Sequence, residues 1–137
     1  MNEVSHNVSC PFCRLSADRV LMENSLALAV RDHRPVTPGH TLIIPKRHIQ
    51  SLWEASEQEI LAMFDILKRV KADLEREFDA DGFNIGINVG PAAGQTVMHL
   101  HVHCIPRRWG DVRNPRGGVR KLIKEKNDRV AREFHID

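Results

Sequence analysis

Three histidines alternate with apolar residues inside one short stretch of the chain, residues 97–105. They are His99, His101 and His103. If this stretch is a β-strand, side chains two apart share a face, and the three imidazoles form a row about 6 to 7 Å apart. Imidazoles on a half-buried face must be hydrogen-bonded or engaged in chemistry. The spacing therefore predicts a functional site.

Two kinds of chemistry fit such a row. The three imidazoles could chelate one metal ion that activates water. Alternatively, the middle histidine could attack phosphorus as a nucleophile while its neighbours handle charge and protons. Imidazole suits the second role because its reference pKa of about 6.5 leaves it mostly neutral at pH 7. The residues alone leave both possibilities open.

A second pair of reactive side chains, Cys10 and Cys13, has the C-x-x-C spacing. The pair supplies two of the four ligands of a tetrahedral zinc site. The alternatives are free thiols or a redox pair, and the latter would need a thioredoxin-like βαβ pattern that this chain lacks. The third cysteine, Cys104, lies on the apolar side of the histidine stretch and is expected to be a small buried residue.

Short extended segments surround one long helix. Strands are predicted at residues 25–32, 40–44, 83–89 and 97–105, separated by turns rich in Gly and Pro. Ser56 and Glu59 form a capping box that begins an amphipathic helix. Its apolar positions are Ile60, Phe64, Leu67, Leu74 and Phe78. The pattern predicts an α+β fold: a mainly antiparallel five-stranded sheet with one long helix packed across it.

Length and composition indicate a single domain over residues 1–137, with a core at about 10–115 and a basic tail at 116–137. A chain that is 42% hydrophobic and 28% charged is neither disordered, collagenous nor a coiled coil. Its apolar runs are too short for a membrane span, and MNEVSHNVSC lacks the core of a signal peptide. We therefore expect a cytoplasmic protein with no membrane partner.

Positive charge concentrates toward the C-terminus. From residue 107 onward lie ten of the chain's 20 Lys and Arg, yet the net charge is only +2. Arg116 and Arg120, beside a Gly pair, could contact a polyphosphate. The alternative is a solvated helix, because Lys121, Lys124, Glu125 and Asp128 mix the two signs. Nucleic-acid binding is not expected, since the charge is modest and a stacking motif is missing.

Several segments taken together resemble the histidine triad (HIT) superfamily. They are GQTVMHLHVHCIPR at 94–107, PGHTLIIPKRH at 38–48, Gly110-Asp111, and NPRGGVR at 114–120. The last two are similar to bacterial diadenosine polyphosphate hydrolases of the fragile-histidine-triad branch. The resemblance runs in order from Cys10 to about Arg120. It implies the HIT fold and a homodimer.

The resemblance also implies roles for single residues. His101 would be the nucleophile, forming a nucleotidyl-histidine intermediate, and His103 would contact phosphate. Gln95, Thr96 and Gly94 would surround the phosphate or the leaving group, and Asn88 would contact the nucleotide. Asp32, with its neighbour His33, stands where the family binds the ribose, and His40 stands where a histidine orients the catalytic strand.

The resemblance further implies a structural Zn²⁺ bound by Cys10, Cys13, His48 and His99, with no catalytic metal required. The expected reaction is cleavage at the α-phosphate of dinucleoside polyphosphates such as diadenosine tetraphosphate. Two alternatives remain: a purine nucleoside phosphoramidase of the Hint branch, or a nucleotide-binding protein without catalysis. Retention of the three histidines and Gln95 counts against the latter.

Overall fold

The computed structural model describes residues 7–123 and 127–136. Five strands form one sheet in the order β1-β2-β3-β5-β4, and every neighbouring pair is antiparallel. The strands are β1 (Val20–Glu23), β2 (Ala27–Arg31), β3 (Thr41–Pro45), β4 (Gly82–Gly86) and β5 (Val102–Arg107). The helices are α1 (Glu57–Phe78) and α2 (Asp128–Phe134), and short 3₁₀ turns occupy Ala17–Arg19, Leu52–Glu54, Pro91–Ala93 and Gly118–Leu122. The predicted fold class is confirmed.

Helix α1 begins at the predicted capping box. The Ser56 hydroxyl accepts from the Glu59 amide, and the Glu59 carboxylate accepts from the Ser56 amide. The helix buries one apolar stripe against β2, β3 and β5. That stripe consists of Met63, Ile66, Leu67, Val70 and Leu74. Phe64, predicted on this face, is instead exposed, because the helical period centres the stripe on Met63 and Leu67.

The strand boundaries differ from the prediction around the histidines. β5 begins at Val102, whereas the alternation predicted a strand from residue 97. The backbone before Val102 makes a separate contact, with the Leu100 amide donating to the Ile49 carbonyl at 2.7 Å. Likewise, β4 ends at Gly86 rather than at residue 89. The sequence did not predict the edge strand β1. Only alternate residues of its four are half-buried, and the other two are exposed.

The backbone conformation and the close packing at Gly39 explain why the PGH segment, residues 38–40, has a glycine there. Its φ of +91° lies in the left-handed region, and a Cβ there would come within 2.9 Å of Leu74 Cδ2 and 3.0 Å of Phe78 Cγ. The turn before β3 therefore packs directly on the end of α1. This contact sets the position of the next residue, His40, which is 3% exposed.

The C-terminal residues lie mostly on the surface. Arg116, Arg120, Arg129 and Arg132 are exposed, and Arg129 pairs with Glu133 at 2.9 Å. Lys124, Glu125 and Lys126 lie outside the described residues, as do residues 1–6 of the N-terminal stretch. Neither helix in the described part of the chain has the length and apolar character needed to cross a membrane. The division into a core and a tail stays a prediction.

Candidate active site

Four side chains that the sequence predicts as zinc ligands converge on one point. Cys10 Sγ lies 3.4 Å from His99 Nδ1, and Cys13 Sγ lies 3.6 Å from the same nitrogen. His48 Nδ1 lies 3.3 Å from Cys13 Sγ and 3.2 Å from His99 Nδ1. All four ligand atoms lie within 4.8 Å of one another. The loop of the cysteines, the end of β3 and the segment before β5 meet here.

These distances fit a tetrahedral ion. Zn–S and Zn–N bonds of ordinary length in a tetrahedron separate ligand atoms by about 3.3 to 3.8 Å. The second ring nitrogen of His99 supports the assignment, because Nε2 lies 2.8 Å from the Pro45 carbonyl, which can only accept. Its proton is therefore on Nε2, and the Nδ1 lone pair faces the cysteines. A bound zinc ion would cross-link three separate segments and add folding free energy directly.

His101 is held in the tautomer that a nucleophile needs. Its Nδ1 lies 2.8 Å from the His99 carbonyl oxygen, so the proton sits on Nδ1 and the lone pair is on Nε2. The ring is 8% exposed. Phe12, between the two cysteines, packs edge-on against it, with centroids 5.0 Å apart and planes at 71°. The imidazole is thus fixed from two sides.

A chain of polar groups fixes the tautomer of His103 as well. The Val36 amide donates to His40 Nδ1 at 3.2 Å, so a neutral His40 carries its proton on Nε2. That nitrogen lies 2.9 Å from His103 Nδ1 and 3.5 Å from Asp32 Oδ2. His103 Nδ1 therefore accepts, and His103 carries its proton on Nε2. No sequence pattern could have indicated Val36, because the group involved is its backbone amide.

Burial and neighbouring groups keep the rings of His40 and His103 uncharged at neutral pH. Burial lowers the pKa of His40, although the Asp32 carboxylate acts in the opposite direction. Burial, with the neighbouring His101 and His40, lowers the pKa of His103 to about 4. At neutral pH, His103 is therefore an uncharged donor beside His101. The two rings have their centroids 5.0 Å apart.

The alternative in which all three histidines bind one metal does not match the geometry. Among the described residues, His99 groups with the two cysteines and His48, while His103 groups with Asp32 and His40. His101 belongs to neither group. Because β5 begins only at Val102, His99 and His101 lie outside the strand in which a regular alternation would have placed the three side chains in one row.

The nucleotide-binding residues predicted from the resemblance are distributed around these histidines. Asp32 is half-buried, and its Oδ1 accepts from the Arg34 amide at 2.9 Å, while His33 is exposed. Gly94, with a φ of +93°, and Thr96 are exposed on the loop before the histidines. Asn88 is half-buried after β4.

Gln95 does not have the expected free amide. Its Oε1 accepts from the Gly90 amide at 2.9 Å, and its Nε2 donates to the Gln50 and Val97 carbonyls at 2.9 and 3.1 Å. Both Nε2 hydrogens are used by backbone oxygens, and the side chain is buried. In this structure Gln95 therefore links the loop before the histidines to residue 50, and its expected contact with phosphate stays a prediction.

Phe12 is the side chain at this site that sequence reasoning missed. Besides His101 it contacts His99, with centroids 5.9 Å apart, and it packs on the apolar sheet face of Val30, Leu42 and Ile44. The only signal was its place inside the C-x-x-C loop. Cys104, by contrast, is fully buried as expected, and burial raises the pKa of its thiol to about 11.

Comparison with known proteins agrees with this geometry. Residues 14–110 match the model of the HIT domain. The chain is 39% identical over 93 residues to the asymmetrical bis(5′-nucleosyl)-tetraphosphatase of Schizosaccharomyces pombe, covering 68% of this chain and 51% of that protein. It is 32% identical over 115 residues to the bis(5′-adenosyl)-triphosphatase of Dictyostelium discoideum, covering 84% of this chain and 77% of that protein. The chain thus spans about half the length of the first of these relatives.

A solved structure is also similar. The crystal structure of a Zn-bound histidine triad family protein from Mycobacterium smegmatis has a TM-score of 0.69 and 39% sequence identity, and the match covers 76% of this chain and 78% of that one. Similarity to a zinc-bound protein agrees with the convergence of Cys10, Cys13, His48 and His99.

Proposed function

Because the chain belongs to the HIT family, we propose that it cleaves dinucleoside polyphosphates at the α-phosphate through a nucleotidyl intermediate on His101. The observation that carries this proposal is the 2.8 Å hydrogen bond from His101 Nδ1–H to the His99 carbonyl. It leaves the Nε2 lone pair as the reactive one. Two relatives named for hydrolysis of dinucleoside polyphosphates support the substrate class.

The proposed reaction has two displacements. First, His101 Nε2 attacks the α-phosphorus, the bond to the bridging oxygen breaks, and the nucleoside polyphosphate leaves with that bonding pair. Second, a water oxygen attacks the same phosphorus, the P–N bond breaks, and the electron pair returns to Nε2. The products are a nucleoside monophosphate and a nucleoside polyphosphate, and the water proton is released to solvent.

His103 provides electrostatic support for both displacements. Its Nε2–H can donate to a phosphoryl oxygen, because Nδ1 is already an acceptor for His40. A neutral donor suits this place, since a charged His103 would weaken the nucleophilicity of His101. Asp32 is proposed to accept from the ribose hydroxyls, with His33 beside it, while Gly94, Thr96 and Asn88 are proposed to lie along the nucleotide.

Zinc, dimerisation and location complete the proposal. Cys10, Cys13, His48 and His99 are proposed to bind a structural Zn²⁺, which supplies cross-linking rather than chemistry at phosphorus. Two cysteines that serve as zinc ligands must stay reduced, which fits the cytoplasm. The homodimer implied by the family resemblance stays a prediction that sedimentation velocity tests.

Product analysis tests the function. The purified protein is incubated with diadenosine tetraphosphate or with adenosine 5′-phosphoramidate, and nucleotides are separated by ion-exchange chromatography. We expect AMP and ATP from the first compound, no turnover by His101→Ala, and normal turnover by His135→Asn, which changes an exposed histidine of the tail. Turnover of the phosphoramidate alone would contradict the substrate class. Binding without turnover of either compound would support a non-catalytic protein.

A further inference from the structure

A cavity adjoins the histidine chain without including the nucleophile. Residues of β4 and β5, together with the segment 112–122, line a volume of about 630 Å³. This lies within the range of about 300 to 1,000 Å³ that is usual for small-molecule sites. His40 and His103 line the cavity, whereas Asp32 and His101 are not among the described residues that line it. The cavity therefore adjoins the histidine chain at His40 and His103, and Asn88 lines it as well.

Apolar side chains that the fold leaves exposed cluster at this cavity. Their exposed fractions range from 44% to 77%. These residues are Val36, Ile85, Val112, Val119 and Leu122. Exposed apolar residues scattered singly need no explanation, but a cluster around a cavity marks a binding surface. The apolar walls come from both the sheet and the segment 112–122, an arrangement that suits a flat aromatic ring.

The polar groups among these walls suit the edge of a purine. Asn84 Oδ1 accepts from Arg107 Nη1 at 2.6 Å, which fixes the orientation of the amide. Its Nδ2 then faces the segment 112–122, since a Cβ built on Gly118 would lie 3.4 Å from it. Asn114 also lines the cavity. Asn84 Nδ2 is therefore a group that can donate a hydrogen bond to an acceptor on the edge of a base.

One cation of the cavity is not matched by a carboxylate. Arg107 is neutralised by Asp111, with Nε–Oδ2 at 2.7 Å and Nη2–Oδ1 at 2.8 Å. This pairing raises the pKa of Arg107 and holds the pKa of Asp111 well below its usual range. Lys121 Nζ instead donates to the Asn114 carbonyl at 2.5 Å and forms no ion pair within the described part of the chain. Lys121 therefore gives the cavity a positive charge.

We propose that this cavity binds the leaving half of the substrate, a nucleoside polyphosphate, with its base between the apolar walls and its phosphates near Lys121. The proposal rests on the proposed function. In an in-line displacement at phosphorus the leaving oxygen lies opposite the nucleophile. A dinucleoside substrate thus needs a second site beyond the α-phosphate, and the cavity is lined by the residue proposed to contact that phosphate. A nucleotide of this kind matches the volume, the apolar walls and the charge together.

The test compares two substrates that share the adenylyl group. Diadenosine tetraphosphate carries a nucleotide leaving group, whereas the leaving group of the p-nitrophenyl ester of AMP is p-nitrophenolate, which has neither a base nor a polyphosphate. Val119→Trp fills the cavity and Lys121→Gln removes its charge. The matched controls are Leu61→Trp and Lys68→Gln, both on the exposed face of α1. The readout is kcat/KM for diadenosine tetraphosphate divided by kcat/KM for the p-nitrophenyl ester of AMP.

We expect the ratio to fall about tenfold or more in both cavity variants and to stay within about twofold of the wild type in the controls. An unchanged ratio in the cavity variants would overturn the inference. Equal losses for both substrates would also overturn it, because they would mean damage to the catalytic histidines. A changed sedimentation coefficient with an unchanged ratio would assign the cavity to contact with a second copy. If the wild type consumes neither compound, the proposed function fails first and the inference fails with it.

Discussion

The backbone carbonyl of His99 accepts the Nδ1–H of His101 at 2.8 Å, while the imidazole of His99 lies in the cysteine cluster. A single residue therefore belongs to two sites. Its side chain is a proposed zinc ligand, and its carbonyl sets the tautomer of the proposed nucleophile. Anything that displaces His99 should disturb both sites, although the metal is not required for the chemistry at phosphorus.

The first prediction concerns the loss of zinc. Cys13→Ala should lower the zinc content from one ion per chain to much less than one, and it should lower both thermal stability and kcat, because His99 loses its anchor. Metal analysis and calorimetry measure the first two effects. Cys104→Ala is the matched control, since Cys104 is buried away from the cluster and should leave zinc bound. Full zinc content in Cys13→Ala would contradict the assigned ligands.

The second prediction concerns protons on the histidine rings. Long-range ¹H–¹⁵N correlation spectra of the protein at pH 7.5 should show a proton on Nε2 of His40 and of His103, and on Nδ1 of His101. The reasons are the acceptor roles of His40 Nδ1, His103 Nδ1 and the His99 carbonyl. A Nδ1–H tautomer of His103 would rule out the proposed donation from His103 to phosphate.

The third prediction concerns the loss of stability as the pH is lowered. The pKa of His103 is about 4 in the folded protein, below the ordinary value of 6.5, so between these values the unfolded chain binds a proton that the folded chain does not. The free energy of unfolding should therefore fall as the pH is lowered from about 6.5 to about 4. Denaturant titrations of the wild type and of His103→Gln separate this effect from acid loss of zinc. The free energy of unfolding of the variant should depend less steeply on pH, and an equal or steeper dependence would contradict the lowered pKa of His103.

The fourth prediction concerns Gly39. Gly39→Ala should lower the free energy of unfolding by about 1 to 3 kcal/mol, because the φ of +91° is unfavourable for alanine and the new Cβ would press on Leu74 and Phe78. The control is Gly82→Ala, where a Cβ would meet nothing within 4 Å. Equal effects of the two substitutions in denaturant titrations would mean that the close approach to α1 carries no free energy.

The sequence predicted the parts of this protein that depend on local pattern. The capping box of Ser56 and Glu59 placed the start of α1. Short apolar runs bounded by turn residues placed β2 and β3, and the alternation of apolar residues placed β4, each to within a few residues. The C-x-x-C spacing indicated Cys10 and Cys13, and the family resemblance added His48 and His99. The structure brings the four together.

What the sequence could not provide depends on contacts between distant segments. The alternation of the histidines predicted one row, but the bond between the Leu100 amide and the Ile49 carbonyl replaces strand pairing before Val102. Gln95 was expected to face phosphate, yet three backbone groups of its loop and of residue 50 use its amide. Lys121 was grouped with solvated charges, and only the fold shows that it lines a cavity with His103.

The most direct measurement of the central claim is the intact mass of the protein after rapid quenching with diadenosine tetraphosphate. The account predicts a transient increase by one adenylyl group in the wild type and none in His101→Ala, with peptide mapping placing the adduct on His101. His135→Asn should form the same adduct as the wild type. Turnover without any adduct at the shortest quench times, or an adduct that persists in His101→Ala, would contradict covalent catalysis at His101.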